Sequence, residues 1–180
     1  SKISQYAKHY LKHVLIKDTT VISDEQFKDL QALEIIEYGK LITSIGNEAF
    51  KNCKSLVEVP YFKDVTSIYS NSFNNCESLE EIVLPNKELT MISDNRTSNP
   101  FNGCISLTRL ILGNFPSGMR INRDTTQYSI KYVSVSNPSV ITSDMFRDMY
   151  NLEEVNLGIG VTTINNSAFS NCYSLYRVIS

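Results

Sequence analysis

The apolar residues of this chain fall into columns. Aligned on phenylalanine they run Phe27, Phe50, Phe73, Phe101, Phe146 and Phe169, separated by 23, 23, 28, 45 and 23 residues, the 45 dividing into two units. Three positions after each phenylalanine stand Leu30, Cys53, Cys76, Cys104, Met149 and Cys172. Six after stand Leu33, Leu56, Leu79, Leu107, Leu152 and Leu175, and nine after, Ile36, Val59, Ile82, Leu110, Val155 and Val178. Five before stand Ile22, Ile45, Ile68, Ile141 and Ile164, while the Phe101 unit carries Ile92 nine before. Such a period marks a stacked repeat, in which one unit cannot bury its own apolar columns and neighbours must cover them.

Each unit predicts a turn followed by a strand. Leu56 to Tyr61 has the L-x-x-V-x-aromatic spacing of a short strand that buries some side chains and presents the intervening ones to solvent. Gly46 to Cys53 is too short and polar for a full helix and predicts a helical turn or 3-10 segment on the opposite side. Two positions after each phenylalanine stand Asp29, Asn52, Asn75, Gly103, Asp148 and Asn171. These residue types tolerate left-handed backbone, which predicts a repeated bend.

Where a phenylalanine is missing, the other columns keep the register. Met119, Ile130, Val133 and Val135 mark a degraded repeat at 119–135, with Asp124 in the phenylalanine slot and Gln127 in the cysteine slot. A buried unpaired carboxylate is too costly to keep, so the backbone is expected to bulge outward at Asp124. Ser93 to Pro100 holds about four extra residues on the non-strand side by comparison with the parent spacing. Leu11, Val14 and Ile16 have the strand spacing of an incomplete N-terminal unit. Residues 1–180 are thus expected to form a single domain of about seven repeats plus that partial one. The closing "SAFSNCYSLYRVIS" has the interior consensus without a polar cap, so the chain is expected to be a piece of a longer array.

The combined pattern I-x-x-x-x-F-x-x-C-x-x-L-x-x-[VI]-x-[LY], fullest in "NNCESLEEIVLP" at 74–85, resembles the BspA-like, or Treponema pallidum-type, leucine-rich repeat family over residues 11 to 179. The resemblance implies an α/β repeat solenoid: a leucine-rich-repeat right-handed superhelix with short parallel strands on one face and short helical or 3-10 turns on the other. It also implies a cell-surface or secreted location and a role in adhesion or host-protein binding.

Charge and candidate chemistry narrow the function. A net charge of -2 without a run of five like charges leaves no footprint for nucleic acid or an anionic membrane surface. Apolar stretches of a few residues predict no direct membrane insertion, and "SKISQYAKHYLKH" lacks a signal-peptide core. The cysteines share one column and read as small buried hydrophobes, and without C-x-x-C they make a poor zinc set. His9 and His13, at i and i+4, would share a helix face, but no third ligand accompanies them, so they read as solvated or packing residues. H-E-x-x-H, G-x-S-x-G, the P-loop and the dinucleotide glycine fingerprint are all missing, which argues against an enzyme and against a cofactor. Glu80 and Glu81, like Glu153 and Glu154, fall at one repeat position and read as a solvated strand face. "NRT" at 95–97 and "NNS" at 165–167 match the N-glycosylation pattern.

What remains is the outer face of the strands. Eight positions after the phenylalanine slot stand Ile35, Glu58, Glu81, Arg109, Tyr132, Glu154 and Arg177, and ten after, Glu37, Pro60, Val83, Ile111, Ser134, Asn156 and Ile179. Both columns should point outward together. Glu58, Glu81, Val83, Arg109, Ile111, Tyr132, Glu154 and Arg177 are therefore the candidate protein-binding residues, a mixture of aromatic, apolar and arginine side chains typical of interface centres. The alternative is a structural spacer that binds nothing, with this face merely solvated.

Overall fold

The computed structural model describes residues 7–39, 41–86, 88–92, 99–114, 121, 128–136, 138 and 140–180. Its strands, numbered β1 to β13 along the chain, stack in parallel on two sides of a solenoid. The side predicted from sequence holds β1 (His13–Ile16), β3 (Ile35–Tyr38), β6 (Glu81–Leu84), β8 (Arg109–Leu112), β9 (Tyr132–Val135), β11 (Glu154–Asn156) and β13 (Arg177–Ile179). Here β6, β8, β9, β11 and β13 form one five-stranded sheet, and β1 pairs with β3. Each pairing advances by one repeat, Ile82 to Leu110 to Val133 to Val155 to Val178, so one sequence column becomes one row across the sheet.

The second side was not anticipated. It holds β2 (Val21–Ile22), β4 (Ser44–Ile45), β5 (Ser67–Tyr69), β7 (Thr90–Ile92), β10 (Val140–Ile141) and β12 (Thr163–Ile164), paired in the orders β2-β4-β5-β7 and β10-β12. The isoleucine column before each phenylalanine lies on these strands, Ile22 beside Ile45 beside Ile68. One assignment is corrected: the residue opposite Ile68 is Met91, whereas Ile92 lies opposite Tyr69 and is exposed. A threonine row gives the true register, since Thr43, Thr66 and Thr90 each donate a backbone N–H and a side-chain O–H to the carbonyl of Thr20, Thr43 and Thr66.

The expected helical turns are also corrected. No α-helix occurs among the described residues, and the fold is a parallel β-solenoid with a 3-10 turn at Ala7–His9. Asp29, Asn52, Asn75, Asp148 and Asn171 have φ between 58° and 65°, and Gly103 has 81°, as the bend column predicts. A second left-handed column, Glu25, Glu48, Asn71, Asp144 and Ser167, lies four residues earlier with φ of 54° to 63°. Two left-handed residues so close together prevent a helix from propagating. The backbone hydrogen bonds alternate instead. Ala49, Lys51 and Cys53 donate three residues back within the coil, while Glu48, Phe50 and Asn52 donate to Ser70, Ser72 and Asn74 of the next coil. Side chains reinforce the bend: Asn52 donates to Asp29 at 2.7 Å, Asn75 to Asn52 at 3.1 Å and Asn171 to Asp148 at 2.6 Å.

The core runs along the axis. Phe27, Phe50, Phe73 and Phe101 stack with ring centroids 5.3, 5.1 and 5.9 Å apart, and Phe146 and Phe169 stack at 5.2 Å. Met119, Asp124 and Gln127 of the degraded repeat lie outside the described residues, as do the expected bulge and residues 93–98 of the insertion. Ile130, Val133 and Val135 of that repeat are buried in the strand columns.

The cysteine column is more than packing. The thiols of Cys53, Cys76, Cys104 and Cys172 donate to the carbonyls of Phe27, Phe50, Phe73 and Phe146, each one coil earlier, at 2.9 to 3.2 Å. Leucine fits the volume at this position but cannot donate. Burial pushes the Cys53 thiol up to about 12 and the half-buried Cys172 thiol up to about 11, and holds Cys76 well above the usual thiol range. These thiols stay protonated in the fold, whereas unfolded chains ionise near pH 9. Their contribution is therefore fully present below pH 9 and is lost as pH rises toward 12, because only the unfolded state releases protons over that interval. Iodoacetamide at pH 8 is expected to modify Cys172 slowly and spare Cys53, Cys76 and Cys104 until the chain unfolds. Mass spectrometry of the alkylated peptides checks this, and equal modification of all four in the native chain would contradict it.

One strand is missing. Leu56 is buried as expected, but 56–60 forms no strand. Tyr61, predicted to close it, is 57% exposed, and the next residue, Phe62, is 1% exposed and stacks on Tyr38 at 5.6 Å. Pro60 in this stretch has no N–H to donate toward β3, and on the other side, among the described residues, only Glu80 N–H to Val57 O at 3.0 Å joins 57–60 to the following rung.

Candidate strand-face binding site

Strand alternation lifts the candidate residues out of the core. Ile82, Leu110, Val133 and Val155 point inward and are fully buried, and their neighbours on either side face out. The outward rows are Glu81, Arg109, Tyr132, Glu154, Arg177 and, two positions on, Val83, Ile111, Ser134, Asn156 and Ile179. The structure therefore brings seven of the eight predicted residues onto one continuous sheet. Glu58 is exposed but stands on the rung that carries no strand, apart from the rest.

Neighbouring rungs of a parallel sheet lie about 4.8 Å apart, so side chains in a row interact with one another before they meet a partner. Arg109 Nε donates to Glu81 Oε1 at 3.1 Å, and its guanidinium lies 4.6 Å from the Tyr132 ring centre. Arg177 Nη1 donates to Glu154 Oε2 at 3.2 Å. Beside this row Lys131 pairs with Glu153 at 3.0 Å. The row is nearly neutral, with Arg109 held between the Glu81 carboxylate and the Tyr132 ring. Such surface pairs add little stability, about 0–1 kcal/mol each, but they fix side chains that would otherwise lose entropy on binding.

The histidines do not share a helix face. His9 ends the 3-10 turn, whereas His13 opens β1 and lies 3.2 Å from Glu37. Among the described residues no group of three or more His, Cys, Asp or Glu side chains could hold a metal, and no helix is long and apolar enough to cross a membrane. The first glycosylation pattern lies outside the described residues, and Asn165 of the second is exposed.

Sequence reasoning missed one exposed feature. Tyr128, Tyr150 and Tyr173, four positions after the phenylalanine slot, stack at 5.7 and 5.9 Å, with Tyr128 55% and Tyr173 78% exposed. Tyr150 is stacked on both ring faces, whereas Tyr128 and Tyr173 each have one stacked neighbour. The signal was the recurrence of tyrosine at a single repeat position.

Comparison with solved structures finds a leucine-rich repeat protein of T. pallidum, 21% identical, with a TM-score of 0.61 over 93% of this chain and 81% of that one. A leucine-rich cell surface protein of Faecalibacterium prausnitzii A2-165 is 15% identical, with a TM-score of 0.40 over 93% of this chain and 78% of that one. A leucine-rich repeat protein of Bacteroides ovatus ATCC 8483 is 16% identical, with a TM-score of 0.33 over 93% of this chain and 60% of that one. The first of these shares the solenoid fold. The chain has no match among curated proteins. The family model for the BspA type leucine rich repeat region matches six copies, over residues 2–115 and 63–176. With the repeat columns, the parallel coil and this match in agreement, the chain belongs to the BspA-type leucine-rich repeat family.

Proposed function

We propose that the chain is a protein-binding module that uses the outer face of the five-stranded sheet, working at the cell surface or in secreted form in adhesion or contact with host proteins. The observation that carries this reading is the ordered row of Glu81, Arg109, Tyr132, Glu154 and Arg177 beside the apolar Val83 and Ile111. A pre-fixed arginine and tyrosine beside half-buried aliphatic side chains make the kind of patch whose truncation weakens protein complexes most. The location rests on family resemblance alone. No residue set described above supplies a nucleophile, a base and an anion-stabilising group together, so the reading is non-enzymatic.

The second reading, a spacer without its own ligand, draws on the same ion pairs: a face whose charges satisfy each other can simply be solvated. Combined substitution of Arg109, Ile111 and Tyr132 by alanine separates the two. Capture of host surface or matrix proteins is expected to drop by about tenfold or more, with the melting temperature nearly unchanged because all three side chains face outward. Unchanged capture would remove this face from consideration.

A further inference from the structure

On the strand face, the rung at 56–62 is unzipped from the rung before it. In intact rungs the residue eight after the phenylalanine slot donates to the preceding coil, as Ile35 does to Lys12 at 3.0 Å and Tyr132 to Thr108 at 3.0 Å. The residue twelve after does the same, as Gly39 does to Ile16 at 2.8 Å and Ser136 to Leu112 at 3.1 Å. Between β3 and the next rung these bonds are missing: neither Glu58 nor Phe62 donates to β3, and Pro60 between them has no N–H to give. The carbonyls of Glu34, Ile36 and Tyr38 on that edge are left without their ladder donors.

The opening is confined to a slit. The same two coils stay joined elsewhere, by Asp29 N–H to Lys51 O at 2.8 Å and by the Phe27–Phe50 stack at 5.3 Å. Ser55 N–H to Gln31 O at 3.2 Å closes one end, and the Tyr38 hydroxyl on Tyr61 O at 2.6 Å closes the other. A cavity of 260 Å³ lies between, lined by Ile35, Ile36, Glu58, Val59 and Pro60. That is below the size of a small-molecule site and suits a single side chain.

Charge selects the occupant. Glu34, Glu81, Glu153 and Glu154 on this face are each paired with a lysine or arginine, and Glu37 lies 3.2 Å from the His13 imidazole. Among the described residues, Glu58 and Glu80 have no basic partner within 4 Å. We propose that the slit anchors one arginine side chain of a protein partner. Its planar guanidinium carries five donors, which suit a carboxylate beside a row of free carbonyls, and its methylene stem can lie on Ile35, Val59 and Pro60. An ammonium has three donors and a compact hydration shell, and satisfies fewer of these acceptors. This adds an anchor to the face proposed above and deepens that reading.

The test uses the whole chain and small probes, so its outcome is separate from that of protein capture through Arg109, Ile111 and Tyr132. N-acetyl-arginine methylamide is titrated while the methyl signals of Ile35 and Val59 are followed by NMR, with the citrulline and lysine analogues in parallel. Arginine is expected to give saturable shifts with Kd of about 1–10 mM. The neutral, isosteric citrulline is expected to give none, and lysine to bind about fivefold more weakly. Glu58→Gln is expected to weaken arginine binding by about fivefold to tenfold. Pro60→Val restores the missing N–H, should zip the ladder shut and abolish binding, and should leave the melting temperature equal or higher. Equal shifts from citrulline or lysine, no saturation with arginine, or wild-type binding in Glu58→Gln would each overturn the proposal. The Glu58 variant alters an exposed carboxylate and decides the matter even if the Pro60 variant fails to fold.

Discussion

Phe73→Ala is expected to destabilise the chain by about 3–5 kcal/mol, since a fully buried ring is lost and a cavity is left in its place. The ring is held between Phe50 at 5.1 Å and Phe101 at 5.9 Å, so deletion cuts the stack on both sides. At about 2–4 °C per kcal/mol for a chain of this size, the melting midpoint should fall by roughly 6–20 °C. Phe169 provides the internal control: it has one stacked neighbour, Phe146, and is only partly buried. Phe169→Ala should therefore cost clearly less. Thermal melts of the two variants followed by circular dichroism check the order, and a Phe73 variant that melts with the wild type would show the register of the core to be wrong.

Gly113→Ala is the second large effect. A Cβ at Gly113 would stand 2.1 Å from the carbonyl oxygen of Pro85 and 2.3 Å from the carbonyl carbon of Asn86, both backbone atoms of the preceding coil. Neither can rotate away, so the coils must part and the Gly113 N–H to Leu84 O bond of 2.8 Å is strained or lost. Overpacking of this kind costs about 1–3 kcal/mol and the bond about 1 more, giving roughly 3 kcal/mol in all. Gly103→Ala is the contrast. It also has a contact of 2.1 Å, but with the Asn75 side-chain oxygen, which can turn aside at the expense of the Asn75–Asn52 bond, so the cost is that of a weakened side-chain hydrogen bond and a φ of 81°. That is about 1–2 kcal/mol. Denaturant melts should rank Gly113→Ala as the more damaging, and the reverse order would contradict the close approach of the coils at Pro85.

The period made much of this legible. Columns nine and eleven after the phenylalanine slot had to be buried and columns eight and ten exposed once strands were assumed, and the sheet register follows the sequence alignment from Glu81 to Arg177. The bend at Asn52 and its equivalents was legible because Asn, Asp and Gly share one backbone tolerance. Glu25 and Glu48 share no such signal, so the second left-handed column, which replaces the expected helical turn, was hidden. At Met91 the lengthened loop of the Phe101 unit shifted the isoleucine column, and the threonine row was the better guide. Pro60 was in plain view. The repeat argued for a strand there and the missing N–H against one, and the local rule prevailed. In the candidate site, exposure could be read from alternation, but the pairing of Arg109 with both Glu81 and Tyr132 depends on side-chain reach across the rungs.

Partners are expected to meet the outer strand face and not the turn side. Tyrosines report on both, Tyr132 from the sheet and Tyr150 and Tyr173 from the exposed stack. Hydroxyl-radical footprinting of the whole chain, free and saturated with a protein that the wild type captures, compares them directly. Tyr132 should become protected from oxidation while Tyr150 and Tyr173 react as in the free chain; protection of Tyr150 and Tyr173 with Tyr132 unchanged would contradict a strand-face site.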